Sequence, residues 1–115
     1  MNESLNGKTI LITGAARRVG KIFALACARA GADIVIHHAH SEAEADEVRN
    51  EIIGLGRQAL VFKADLSDPS QAENLILLVS QSAPLHGLVT TRRSSAHFPY
   101  KTLQRKIGRN ICRLI

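Results

Sequence analysis

The stretch Thr9-Ile10-Leu11-Ile12-Thr13-Gly14-Ala15-Ala16-Arg17-Arg18-Val19-Gly20 decides how the rest of the chain is to be read. Four β-branched or aliphatic residues without helical period predict a strand buried on both faces, the kind found inside a parallel sheet. Thr13-Gly14 breaks that strand. From Val19 to Ala30 the residues are small or apolar with cations at the margins, which predicts a helix, and Gly31 is placed to end it. A strand running through a glycine turn into a helix presents backbone N–H groups and the positive end of a helix dipole, the arrangement that receives a diphosphate.

Working outward, Ala32-Asp33-Ile34-Val35-Ile36-His37-His38 predicts a second strand. Ser41-Glu42-Ala43-Glu44 has the spacing of a capping box for a second helix, with Ala45, Val48 and Ile52 on its apolar face. Gly54 and Gly56 punctuate its end. A third strand is expected over Gln58–Lys63. Asp68 and Pro69 suit the N-cap and first position of a third helix reaching about Ser80, and a fourth strand is expected within Leu85–Thr90. Strands and helices alternate through short connections, so right-handed crossovers predict an α/β, Rossmann-like doubly wound parallel sheet, incomplete because only its N-terminal half is encoded.

The 115 residues carry a formal net charge of +5, unevenly placed. Residues 1–91 hold eight Lys or Arg against ten Asp or Glu, whereas Arg92, Arg93, Lys101, Arg105, Lys106, Arg109 and Arg113 all fall in the last 24 positions. The chain therefore reads as an acidic nucleotide-binding half-domain over residues 1–89 and a basic tail over 90–115. The tail lacks helix-turn-helix or zinc spacing, which argues against nucleic acid as a partner. No run approaches the roughly 20 apolar residues that span a bilayer, and the first residues lack the pattern of a signal peptide, so no membrane partner and a cytoplasmic location are expected. Cys27 and Cys112 form neither a disulfide framework nor a metal-ligand spacing.

Thr13 to Gly20 resembles Thr-Gly-Xaa-Xaa-Xaa-(Gly or Arg)-Xaa-Gly, the cofactor signature of the short-chain dehydrogenase/reductase family. With Arg18 in place of the middle glycine it looks like the pteridine reductase and dihydromonapterin reductase branch. His37-His38-Ala39-His40-Ser41-Glu42-Ala43-Glu44-Ala45 is similar to the stretch after strand two in that branch, and Ala64-Asp65-Leu66-Ser67 resembles the adenine-flanking Asp-Leu. The resemblance covers about residues 8–89. It implies that Gly14, Arg17, Arg18, Val19 and Gly20 hold the diphosphate and 2′-phosphate, that His38, His40 and Ser41 contact the adenosine phosphate, and that Asp65 and Leu66 flank adenine.

Enzymes that use NAD place an acidic residue at the end of strand two, and NADP enzymes place cations there. His38 stands at that point, with Arg17, Arg18, His40 and Ser41 able to surround a 2′-phosphate, so NADP(H) is the expected cofactor. His40 replaces an arginine common in the relatives, which predicts weaker or pH-sensitive phosphate binding. His37 is expected to face the core.

The family pattern stops after Leu88-Val89. Asn-Asn-Ala is expected next, and Thr90-Thr91-Arg92-Arg93 is found. The family's catalytic serine and Tyr-Xaa-Xaa-Xaa-Lys pair have no counterpart, since Tyr100 is followed four positions on by Gln104. No catalytic residue is assigned. Thr-Thr-Arg-Arg can be encoded ACA-ACG-CGT-CGN, and one A restored in front gives AAC-AAC-GCG-TCG, Asn-Asn-Ala-Ser. In the same restored frame Ile107-Gly108 can encode Trp, Ile111-Cys112 Met and Leu114-Ile115 Asn, in the order of the family's next helix. A one-base frameshift near residue 90 is therefore expected, leaving the tail out of frame and poorly ordered.

The expectation is a truncated NADP(H)-dependent short-chain reductase, itself inactive, whose full-length form would be a homo-oligomer that reduces a pterin-like or carbonyl substrate. The alternative is a catalytically silent nucleotide-binding or regulatory module with a basic interaction tail.

Overall fold

The computed structural model describes residues 5–15, 18–65, 68–82, 85–90 and 111–113. Its elements run β1 (Thr9–Thr13), α1 (Arg18–Arg29), β2 (Asp33–His38), α2 (Glu42–Gly54), β3 (Ala59–Lys63), α3 (Pro69–Ser82), β4 (Gly87–Thr90) and β5 (Ile111–Arg113). All pairings are parallel, in the order β3-β2-β1-β4-β5. The expected α/β doubly wound architecture is present.

Two cores explain why the sheet is apolar on both sides. Ile10, Ile12, Ile34 and Ile36 pack on one face against Ala24 and Ala28 of α1 and Ala45, Val48 and Ile52 of α2. Leu11, Val35 and Leu88 pack on the other against Ala72, Leu75, Ile76 and Val79 of α3. Alternate residues of one strand thus serve opposite layers, as a period of two requires. The edge strand β3 is only partly buried, with Leu60 and Lys63 exposed.

Helix ends follow local chemistry. At the end of α1, Gly31 has φ +101°, the Gly31 N–H donates to the Ala28 carbonyl, and the Ala32 N–H donates to the Cys27 carbonyl, a Schellman cap. Gly56 closes α2 in the same way, at φ +84° with bonds from Gly56 to Ile53 and from Arg57 to Ile52. Asp68 caps α3 as expected: its Oδ1 accepts from the Ser70 N–H at 3.0 Å and from Ser70 Oγ at 2.9 Å. Those bonds, the hydroxyl's first, hold the Asp68 carboxyl below the usual carboxylate range.

The capping box expected at Ser41 and Glu44 is not formed. Ser41 occupies the N-cap position at φ −115°, ψ 51° but makes no side-chain cap hydrogen bond, and its own N–H donates to His38 Nδ1 at 3.3 Å. A histidine at the end of β2 takes the donor that Glu44 would have received.

Within the tail, Ile111–Arg113 forms β5 beside β4, with Leu88 opposite Ile111 and Thr90 opposite Arg113. An open parallel edge offers unpaired N–H and C=O groups to any short β-competent segment that reaches it.

Candidate nucleotide-binding site

Strand order reverses between β1 and β4, whose neighbours then run outward in opposite directions. In open α/β sheets the crevice beyond the carboxyl ends of the strands at such a switch point is where ligands bind. The Thr13–Gly20 segment leaves β1 at that edge, and Thr90, the last residue of β4, lies opposite Thr13.

Gly14 and Gly20 are required there for different reasons. Gly14 has φ +64°, the left-handed region that side chains disfavour. Gly20, in the first turn of α1, is buried, and a Cβ there would lie 2.0 Å from the Gly14 carbonyl oxygen and 2.7 Å from its carbon. The helix is seated directly on the turn. This close approach brings the first-turn N–H groups of α1, which no helical carbonyl can take, to the carboxyl edge of the sheet.

The donors are fewer than the sequence suggests. Gly14's N–H donates to His37 Nδ1 at 3.1 Å, and Ala15's N–H donates to the His37 carbonyl at 3.0 Å. Both are committed inward. Gly14 therefore shapes the turn, and donors to a phosphate would come from residues after Ala15. Val19 is in that first turn and is 52% exposed. Arg18 opens α1, but its side chain, like the whole of Arg17 and Leu66, lies outside the described residues.

At the end of β2, His38 is 4% exposed. Its Nδ1 accepts from Ser41, so Nε2 carries the proton. Burial, the largest influence, pushes its pKa below the ordinary histidine value against the opposing pull of Glu42. His38 is thus a neutral hydrogen-bond donor at neutral pH, not the cation that a charge-based reading expects. His40 is exposed and Ser41 half-buried just beyond it, so the three residues share one corner. Asp65 follows β3, where its N–H donates to Gln71 Oε1 at 2.8 Å and its carbonyl accepts from the Asp68 N–H at 3.1 Å.

The residue that sequence reasoning underrated is His37. It does face the core, at 2% exposure, yet its ring joins two loops, with Nδ1 on Gly14 and Nε2 on the Ala64 carbonyl at 2.8 Å. The available signal was one polar side chain inside the otherwise apolar run Ile34-Val35-Ile36. Among the described residues no group of His, Cys, Asp and Glu is arranged to hold a metal, and no helix is long and apolar enough to cross a membrane.

An L-rhamnose 1-dehydrogenase (NAD(P)(+)) from Sphingomonas sp. is 40% identical over 72 residues, 63% of this chain and 28% of that protein. A hydroxynaphthalene reductase from Aspergillus fumigatus is 43% identical over 72 residues, 63% of this chain and 26% of that protein. The matched stretch is thus little more than a quarter of the relatives' length. Among solved structures, a short chain dehydrogenase from Burkholderia cenocepacia in complex with NADP superposes with a TM-score of 0.72 at 34% identity, covering 80% of this chain and 40% of that one. A blue fluorescent protein from a metagenomic library, in complex with NADPH, gives a TM-score of 0.69 at 32% identity, covering 74% and 36%. The family model described as short chain dehydrogenase matches residues 8–97, and with a switch-point glycine turn inside that span the chain belongs to the short chain dehydrogenase family.

Proposed function

We propose that residues 1–89 form the NADP(H)-binding part of a reductase, with the diphosphate held at Arg17, Arg18, Val19 and Gly20 on the turn that Gly14 shapes, the 2′-phosphate corner built from Arg18, His38, His40 and Ser41, and adenine flanked by Asp65 and Leu66. The observation that carries the choice of cofactor is the end of β2. No carboxylate stands between Asp33 and Glu42, and the position where an NAD enzyme keeps an acid for the ribose is taken by buried His38, whose Nδ1 accepts from the Ser41 N–H and whose Nε2 is left to donate. A 2′-phosphate accepts from such a donor, and no carboxylate is present there to accept a ribose 2′-hydroxyl. The Gly14–Gly20 cradle and the donor set of the α1 N-terminus fit an anionic dinucleotide.

When bound, the reduced nicotinamide would supply a hydride to a pterin-like or a carbonyl-type substrate; Arg18 and the His37–Ala45 stretch favour the pteridine-reductase-like branch. No tyrosine in residues 1–115 is followed by a lysine four positions later, so proton transfer to the substrate needs chain beyond these residues. What this chain's residues do is bind and orient. We read Thr90–Ile115 as shifted by one base, and the coding DNA decides it: a single-base correction near residue 90 must open a frame with a downstream Tyr-Xaa-Xaa-Xaa-Lys, or that reading fails. The family match continues past Val89 to residue 97.

The binding proposal is tested by fluorescence titration of the full chain with NADPH and NADH. NADPH is expected to bind at least about tenfold tighter, and Arg18→Ala to remove most of that preference, since a charge-assisted hydrogen bond contributes roughly 1.5–3 kcal/mol. Equal affinity for the two cofactors refutes the assignment.

A further inference from the structure

His37 is placed where β2 passes between two loops that leave its neighbours. On one side is the turn after β1, on the other the segment after β3. Two residues after Val35 on β2, His37 falls by strand alternation on the same sheet face as Val35, which packs with Leu11 and Ala64, and both nitrogens are used, Nδ1 by the Gly14 N–H at 3.1 Å and Nε2 by the Ala64 carbonyl at 2.8 Å. An amide N–H only donates and a carbonyl only accepts, so the partners fix the tautomer: Nδ1 is bare and Nε2 carries the proton. The backbone repeats the connection, since Ala15 donates to the His37 carbonyl and Ala64 donates to the His38 carbonyl.

We propose that His37 is a positioning residue for the dinucleotide, a neutral imidazole strut that fixes the Gly14 turn relative to the Ala64-Asp65 segment. The proposal rests on the cofactor reading above, because the first of these loops carries the diphosphate contacts and the second the adenine contact. A residue that merely filled the core would have no use for both nitrogens. An apolar side chain of similar volume would leave the Gly14 N–H and the Ala64 carbonyl without this partner in a region where polar groups are almost always paired. Gly14 is also the residue on which Gly20, and with it the start of α1, is seated. Loss of the Nδ1 bond therefore propagates to the helix N-terminus without any change in a residue that touches the ligand.

The two nitrogens can be separated. Asparagine offers an acceptor near the place of Nδ1 and can keep the Gly14 bond; glutamine reaches the place of Nε2 and can keep the Ala64 bond while giving up Gly14. In the full chain, nitrogen-15 NMR at neutral pH is expected to show His37 as the Nε2-protonated tautomer, with the Gly14 amide protected from hydrogen exchange. His37→Asn should retain Gly14 protection and bind NADPH within about threefold of the unmodified chain, whereas His37→Gln should lose that protection and bind roughly tenfold or more weakly. Thermal midpoints of the two variants should be similar, because each keeps one bond.

An imidazolium or an Nδ1-protonated ring at neutral pH overturns the proposal without recourse to any variant. So does unweakened NADPH binding by His37→Gln with an unprotected Gly14. If the unmodified chain shows the expected tautomer and a protected Gly14 yet does not bind NADPH, the strut is upheld and the cofactor reading is what fails.

Discussion

Gly20→Ala sets two opposing effects against each other, and the structure says which wins. Alanine in place of glycine inside a helix ordinarily adds about 1 kcal/mol of stability. Here the new methyl would lie 2.0 Å from the Gly14 oxygen, 2.7 Å from the Gly14 carbon and 3.0 Å from Ala15 Cα. All three are backbone atoms that no rotamer change can move aside. Ordinary contact needs about 3.5 Å, so α1 must lift off the turn by more than about 1 Å or the turn must deform. Overpacking of this kind costs about 1–3 kcal/mol, enough to cancel the propensity gain and leave the variant at or below the stability of the parent. A first-turn N–H moved that far from a phosphate oxygen no longer forms a bond of normal length. Each such bond to a charged group contributes about 1.5–3 kcal/mol, so the NADPH dissociation constant should rise roughly ten- to a hundredfold.

Gly54→Ala is the control, because nothing lies within 4 Å of a Cβ at that position. It should be neutral or stabilising and leave binding unchanged. Denaturant melts and NADPH fluorescence titration of the two variants side by side provide the measurement. If Gly20→Ala is more stable than the parent and binds NADPH equally well, the close contact between α1 and the turn is wrong, and with it the argument that this glycine seats the helix.

Two further outcomes follow from packing and titration. Leu75→Ala removes a side chain 2% exposed in the layer between α3 and the sheet, and should destabilise by about 2–5 kcal/mol, read by denaturant melting. Stability should also fall on acidification in two windows. His38 has a folded pKa below the ordinary histidine value of 6.5, so the unfolded chain binds the extra proton first; the stability it contributes is complete above pH 6.5 and is lost as pH falls below that value towards the folded pKa. Asp68, lowered from 3.8, contributes stability above that pH and loses it as pH falls farther. His38→Gln should flatten the first window and Asp68→Asn the second, with melting midpoints followed across pH; an unchanged profile in either variant contradicts the corresponding shift.

Local chemistry explains what could be read from the chain and what could not. The Thr9–Thr13 strand, the glycine caps at Gly31 and Gly56, the Asp68 cap and the apolar face Ala45, Val48 and Ile52 each depend on residues within a turn or two, and all are present. The failures involve partners distant in sequence or competing for one donor. Ser41 and Glu44 have the right spacing for a capping box, but His38 lies three residues back with an acceptor aimed at the same N–H. Strand β3 begins at Ala59 and not at Gln58, whose N–H is taken by the Asp33 carboxylate at 3.0 Å. At the candidate site, Gly14, Val19, Gly20, His38, His40, Ser41 and Asp65 do gather along the carboxyl edge around the β1 turn and the ends of β2 and β3. What the sequence did not disclose is that the Gly14 and Ala15 amides point inward. Their acceptor, His37, is over twenty positions away and joins them only when β1 and β2 align.

The central place of β1 bears on the order in which the chain can assemble. Residue 9 pairs with residue 33, but residue 10 must wait for residue 87. During synthesis the β1-α1-β2 unit can therefore close, and His37 can meet Gly14, while the chain that will become α3 and β4 is still inside the ribosome. The longer closure carries an added entropic cost of only about 1 kcal/mol, so the delay is set by translation more than by equilibrium. In that interval the face bearing Leu11 and Val35 has no cover. The nascent chain would present a binding-competent turn on one edge and a bare apolar face beside it, a state in which chaperone capture and early ligand binding compete for the same molecule.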